Sequence, residues 1–281
     1  MYSAENLLQS FNEALENENF SREPRELYEP INYILELGGK RIRPIMLLMT
    51  VDMYGGDIKK AMPAALGLEI FHNFSLVHDD IMDRAPLRRG KPTVHNKWNA
   101  NTAILSGDTM LVKAYEQFLK LPEPLIKPAL EVFNLTATGV CEGQQYDMNF
   151  EARTDVSIAE YLEMIRLKTA VLIGAAFRLG SLIAGASTED QQLLYDFGIN
   201  TGLLFQLRDD LLDTYGDSGI FGKKLYGDIA ANKKTYLYLK AIERTRGEDR
   251  IRLKGFYTDP SIDPEVKIKE VLRYFEEAEV K

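Results

Sequence analysis

Cysteine is almost missing: Cys141 is the one cysteine in 281 residues. That excludes an internal disulfide framework and fits a reducing compartment. Histidine is scarce too, and His72, His78 and His95 are not spaced with Cys141 as a zinc site requires. No run reaches the ~20 apolar residues of a membrane-spanning helix. The most apolar stretch, TAVLIGAAFRLGSLIAGA at residues 169–186, contains Arg178 and is flanked by Lys168, so it reads as a buried helix. The N-terminal residues are acidic and amphipathic rather than a targeting segment, and the expected location is the cytoplasm. Strand pairs that alternate in polarity and Asn-Gly or Asp-Gly hairpin signals are lacking. A P-loop is lacking as well: Gly222-Lys223 is followed by Lys224, and residue 217 is Asp where that motif needs Gly. The excess of one charge sign is small, 34 Lys+Arg against 42 Asp+Glu. It argues weakly against nucleic acid and leaves an anionic substrate open.

What remains is ordinary globular composition, 45% hydrophobic and 27% charged. Apolar residues recur with a helical period. Leu66, Ile70, Phe74 and Val77 form one stripe, Ile31, Ile34, Leu35 and Leu37 another, and similar stripes run through 102–120, 126–150, 157–186 and 189–215. Gly38-Gly39, Gly55-Gly56, Pro86/Gly90/Pro92, Pro122/Pro124 and glycines at 216–227 punctuate them. The fold class expected is all-α, about ten helices, in a single domain over 1–281. Residues 247–264 read as a polar surface loop, and the last residues as a helix running to the end.

Two acidic clusters interrupt these stripes. Asp79-Asp80-Ile81-Met82-Asp83 and Asp209-Asp210-Leu211-Leu212-Asp213 share the pattern DDxxD. The first and last aspartates of each project from one helix face. A single cluster of this kind also fits a solvated helix face. Two, each behind an apolar run, point to hard divalent cations such as Mg²⁺. Basic residues gather nearby in chain order: Lys40-Arg41-Ile42-Arg43, Arg88-Arg89-Gly90-Lys91, Lys223-Lys224 and Lys233-Lys234. Together with metal they suit a polyphosphate, whose charge both would neutralise. Taken alone, His72 also fits a hydrogen-bonded core histidine, and Lys168 a snorkelling helix lysine. His78 reads as structural, Lys91, Lys224 and Lys234 as surface charges, and Cys141 as a small buried residue.

The order GGKRIRP, HNFSLVHDDIMDRAPLRRGKPTVH, LKTA, FQLRDDLLD and GKKLYGDIAANKKT resembles the trans-prenyltransferases, the polyprenyl diphosphate synthases of the farnesyl and geranylgeranyl type. The resemblance implies an isoprenoid-synthase helical bundle around a deep cavity, acting as a homodimer, with the two DDxxD motifs facing across its mouth. It implies a cluster of three Mg²⁺ on an allylic diphosphate, with Asp79, Asp83 and Asp209 as direct ligands and Asp80, Asp210 and Asp213 direct or supporting. Arg88, Lys168, Lys223 and Lys233 would contact that diphosphate. Lys40, Arg43, His72 and Arg89 would hold isopentenyl diphosphate, with Thr169 and Gln206 beside the allylic cation. Asn232 stands where the family usually has Gly, and Lys224 where Pro is common.

In that family an aromatic residue five positions before the first motif limits product length. Phe74 occupies it, with the small Ser75 next. This leaves farnesyl and geranylgeranyl products open, with a lean to the longer. A terpene cyclase would share one DDxxD but lack Lys40 and Arg43. A non-catalytic regulatory subunit would have lost acidic or basic site residues, and all are present here.

Overall fold

The computed structural model describes residues 2–18, 20–216 and 225–281. Among these described residues, fourteen α-helical segments, one π-helical turn and one minimal hairpin make up the regular structure. The order is α1 (Ala4–Asn17), α2 (Arg25–Glu36), α3 (Ile42–Met53), α4 (Ile58–Met82), β1 (Leu87–Arg88), β2 (Lys91–Pro92), α5 (Val94–Lys97), α6 (Ala100–Phe118), α7 (Glu123–Ala152) and α8 (Ile158–Ile165). The π turn (Arg166–Ala170) leads into α9 (Val171–Ile183) and α10 (Thr188–Tyr215). Then come α11 (Gly227–Ala230), α12 (Tyr236–Arg244), α13 (Gly247–Phe256) and α14 (Pro264–Glu277). Two compact units are distinguished: Met1–Ala137 with Leu172–Gly198, and Thr138–Val171 with Ile199–Lys281.

In the first unit α4 is the central element, packed along α6 and α3. Asp57 starts it by accepting from the Lys59 amide at 2.9 Å. Its stripe is buried as the spacing requires, with Leu66, Leu68, Ile70, Phe71 and Phe74 all in the core. Phe133 of α7 closes that core edge-on against Phe71 at 5.2 Å and tilted on Phe118 at 4.6 Å.

The second unit is built on Tyr161, Met164 and Ile165 of α8, Leu237 and Tyr238 of α12, and Val271, Tyr274 and Phe275 of α14. Leu203, Leu207 and Leu211 of α10 pack on the same cluster. A capping box opens α8: Ser157 Oγ accepts from the Glu160 amide, and Glu160 Oε2 accepts from the Ser157 amide. Asp263 followed by Pro264 opens α14.

The all-α class expected from the sequence is present, with four corrections. Residues 247–256 are helical rather than loop, because Leu253 is fully buried and Tyr257 nearly so, anchoring α13 on α14. The terminal helix stops at Glu277, with Glu279 at φ +50° turning the chain. A hairpin exists after all: Leu87 pairs with Pro92 and Arg88 with Lys91. Its two-residue turn, Arg89-Gly90, has φ of +53° and +74°, so an arginine takes the left-handed position usually held by Asn or Asp. Finally, the described residues form fourteen α-helical segments rather than about ten, in part because the π turn divides the stripe through 157–186 into α8 and α9. Among the described residues no helix is long and apolar enough to cross a membrane.

Candidate active site

The two acidic clusters share a position within their helices. Asp79 and Asp80 lie in the last turn of α4, and Asp83 is its C-cap. Asp209, Asp210 and Asp213 lie in the last two turns of α10. Helix C-termini carry the negative end of the macrodipole, where anions are disfavoured. Placing three carboxylates there twice lowers stability unless a cation arrives.

Within the first unit the carboxylates divide. Asp80 is buried and bound bidentately by Arg88, Nε to Oδ2 and Nη2 to Oδ1, each at 2.8 Å. Burial raises its pKa, against the pull of that guanidinium. Asp80 is thereby a support for Arg88. Asp79 is half-buried and Asp83 exposed.

Basic residues collect around His72. The turn from α2 into α3 runs through Gly38, Gly39 and Arg41 at φ +76°, +137° and +47°. A side chain on Gly39 would meet Arg89 Nη2 at 2.8 Å. Arg89 Nη1 donates to the Gly38 carbonyl. Arg41 is buried, donating to Glu69 Oε1 and to the Leu35 carbonyl at 2.6 Å each. Arg43 Nη1 lies 3.2 Å from His72 Nε2. Arginine can only donate, so Nε2 accepts and the ring is neutral. Burial, then Arg43, Arg89, Arg88 and Arg41, hold the His72 pKa well below its ordinary value. Arg43 Nε is buried with no hydrogen-bond partner. Four guanidiniums around an uncharged imidazole, one with an orphaned donor, suit an anion rich in acceptor oxygens. Lys40 is exposed on the same turn. The sequence grouped Arg41 with the cations suited to a polyphosphate; the structure has it buried, pinning that turn through Glu69.

Phe74 is buried on α4, with Phe71 at 5.5 Å and His78 at 4.8 Å between ring centroids. Ser75 Oγ donates to the His72 carbonyl at 2.8 Å. His78 is structural as expected, with Nε2 3.2 Å from the Ile104 carbonyl.

In the second unit the π turn carries Lys168 and Thr169. Inserting one residue into the helix re-aims both, a device frequent at functional sites. Lys168 Nζ pairs with Asp147 Oδ2 at 2.6 Å. Thr169 Oγ1 donates to Gln206 Oε1 at 3.1 Å, and Gln206 Nε2 donates to Asp210 Oδ1 at 3.0 Å. Tyr161 donates its hydroxyl to the other Asp210 oxygen. Asp210 is therefore buried and committed within this chain of bonds, again a support. Asp209 is exposed, and Asp213 accepts from the Asp228 amide at 3.1 Å. The Lys233 amide donates to the Asp228 carbonyl at 2.9 Å.

Sequence reasoning missed Asp147, Tyr161 and Asp228. Asp147 and Tyr161 sit in unremarkable helical contexts, and Asp228, though within the GKKLYGDIAANKKT motif, was given no role; only the fold brings each to a site residue. Two other expectations are corrected. Lys234 is buried, not a surface charge, because its ammonium donates to the Phe150 and Glu151 carbonyls at 2.7 and 3.1 Å. Cys141, on α7, is exposed rather than buried. Lys223 and Lys224 lie outside the described residues.

The donor set fits a hard divalent ion. Asp228 is pushed up to about 7, by burial first and then by Asp213, against the pull of Lys233. Among the described residues no three His, Cys, Asp or Glu side chains already form a cage. A consequence is measurable without metal. The folded protein binds a proton at Asp228 more tightly than the unfolded chain does. This group's contribution is thus most favourable below pH 3.8 and is lost as pH rises to about 7. Asp228→Asn is expected to raise the Tm of the metal-free protein above wild type progressively from pH 5 to 8. A Tm difference that does not change with pH would contradict the assignment.

The polyprenyl synthetase family profile matches residues 24–275. A geranylgeranyl diphosphate synthase of Methanosarcina mazei is 42% identical over 223 residues, 79% of this chain and 69% of its own. A crystal structure of a geranylgeranyl pyrophosphate synthase superposes with a TM-score of 0.95 at 48% identity, covering 100% of this chain and 86% of that one. Another from Corynebacterium glutamicum, complexed with isoprenyl diphosphate and magnesium, gives 0.82 at 27% identity over 99% of this chain and 85% of that one. With the DDxxD motifs and the cationic cluster in place, the chain belongs to the polyprenyl synthetase family and is a prenyltransferase.

Proposed function

We propose that the protein condenses isopentenyl diphosphate head-to-tail (1'-4) with dimethylallyl, geranyl and farnesyl diphosphates. The product is all-trans geranylgeranyl diphosphate, released with diphosphate. The observation that carries this reading is the anion site around neutral His72, beside an acidic trio at the end of the same helix. Two diphosphates need two sets of charges, and a terpene cyclase, which takes one, has no use for Arg43, His72 and Arg89.

In this reading Lys40, Arg43, His72 and Arg89 hold isopentenyl diphosphate. Arg88, Lys168, Lys223 and Lys233 hold the allylic diphosphate. Asp79, Asp83 and Asp209, with Asp213, hold three Mg²⁺; the choice of metal is supported by the magnesium in the Corynebacterium glutamicum complex. When bound, the metal supplies Lewis-acid stabilisation of the departing diphosphate. Lysine and arginine act on the same charge as it develops. The Thr169 hydroxyl, oriented by Gln206, presents its oxygen lone pairs to the allylic cation. Asp210 and Tyr161 fix Gln206 in turn. The isopentenyl double bond attacks that cation, and a proton then leaves to the departing diphosphate.

The single profile match supports one functional domain over 1–281. On α6 and its C-cap, Leu105, Val112 and Leu119 recur every seven residues at 59%, 57% and 58% exposure. Such a seam supports a homodimer, working in the cytoplasm.

The test is incubation of purified protein with Mg²⁺, labelled isopentenyl diphosphate and each allylic diphosphate, with chromatography of the products. Geranylgeranyl diphosphate is expected, and no condensation with any primer would end the reading. In the same assay Phe74→Ala is expected to lengthen the product by at least one isoprene unit. An unchanged chain length would mean that Phe74 is not the stop.

A further inference from the structure

Lys267 is an ammonium buried without a carboxylate partner among the described residues. It lies on α14 and is 6% exposed. Its Nζ donates to Asn232 Oδ1 and, at 3.4 Å, to the Ala230 carbonyl. The Tyr257 ring centroid is 5.1 Å away. Burial lowers its pKa. A buried, unpaired ammonium is unfavourable for folding, so stability does not explain it.

What Lys267 grips does explain it. Asn232 has φ +60°, in the left-handed region that glycine occupies freely and asparagine at some cost. Lys233 follows directly, its amide held by the Asp228 carbonyl. Beyond it, Lys234 is anchored to the Phe150 and Glu151 carbonyls at the end of α7. The backbone around Lys233 is thus gripped on one side from α14 and on the other from α7.

We propose that Lys267 is a positioning residue for Lys233: by holding the Asn232 amide oxygen and the Ala230 carbonyl, it fixes the left-handed turn that sets where Lys233 leaves the backbone. It does for this chain what a glycine's freedom would do at position 232. The inference rests on the reading of Lys233 as a contact of the allylic diphosphate.

The test uses the full-length protein, farnesyl diphosphate as primer and isopentenyl diphosphate. Lys267→Met removes the ammonium at similar length. Its Tm is expected to equal or exceed that of wild type. The KM for farnesyl diphosphate rises about tenfold, with kcat and the KM for isopentenyl diphosphate little changed. The Lys233 amide exchanges its hydrogen faster. In an Asn232→Gly background the same substitution adds nothing further. An unchanged KM with unchanged Lys233 exchange overturns the inference. So does a tenfold loss that persists in the Asn232→Gly background, or a large fall in Tm, which would make Lys267 a structural residue. Lys233→Ala separates the two readings. If it leaves the KM for farnesyl diphosphate unchanged, the assignment of Lys233 fails. Amide exchange at position 233 then still decides whether Lys267 holds the turn, and exchange that does not quicken in Lys267→Met overturns it.

Discussion

Alanine at Asp79 or at Asp209 is expected to lower turnover by about 10³-fold or more while the fold survives. The argument starts from the helices. Both carboxylates sit at the negative ends of long helices, Asp79 in the last turn of α4 and Asp209 within the last two turns of α10. There an anion opposes the macrodipole. Removing either should leave Tm unchanged or slightly raised, so activity and stability move in opposite directions. Steady-state kinetics with saturating Mg²⁺, set beside thermal melts, reads both. Lys91→Ala, at an exposed position, is the control and should behave as wild type. Near-normal turnover in both aspartate variants would contradict the metal role.

The second large effect comes from a glycine. Gly143 on α7 lies against the π turn so closely that a Cβ would fall 2.2 Å from the Lys168 nitrogen and 2.7 Å from its Cα. Backbone atoms cannot swing aside as a flexible side chain would. Gly143→Ala therefore drives α7 and the π turn apart or rewinds that turn. Either displaces Lys168 and Thr169, and a displacement near 1 Å costs about 10²-fold in rate. The overpacking itself costs roughly 1–3 kcal/mol, so circular dichroism should still show a helical protein. Gly139→Ala, one turn earlier, meets nothing closer than Leu167 Cδ2 at 3.5 Å and should be tolerated. Equal activities in the two variants would show that the close approach at position 143 has no catalytic consequence.

How much of this was legible in the sequence depends on the range of the interaction. The helices carrying the acidic motifs follow from apolar spacing, since Leu66, Ile70, Phe74 and Val77 are buried as a single face predicts. The expected grouping of Arg43, His72 and Arg89 follows from motif order. The π turn left no trace, because one inserted residue shifts an apolar stripe by less than the width of a buried face. The hairpin escaped because its turn is Arg-Gly, a pair with little intrinsic preference for that shape. Residues 247–256 look polar because few apolar side chains, Leu253 and Phe256 with the adjoining Tyr257, anchor them. Lys234 looks like a surface charge because the carbonyls that hold it are more than eighty residues away. Cys141 is exposed although small thiols are usually interior. Each is a long-range fact that no local pattern encodes.

The bidentate grip of Asp80 on Arg88 has a consequence for timing. An arginine side chain carries about 2 kcal/mol of rotamer entropy, and a mobile one surrenders it at the moment of capture. Here the Nε and Nη2 edge is fastened during folding, leaving Nη1 and the guanidinium face already oriented. In the role proposed for Arg88, an arriving polyanion would meet a stationary prong rather than a searching arm. Its capture is limited by diffusion and dehydration, with little ordering of that side chain left to do. A lysine at position 88 has three donors on one rotatable nitrogen and no planar fork, so it could not grip both Asp80 oxygens edge-on and keep a fixed donor aimed outward.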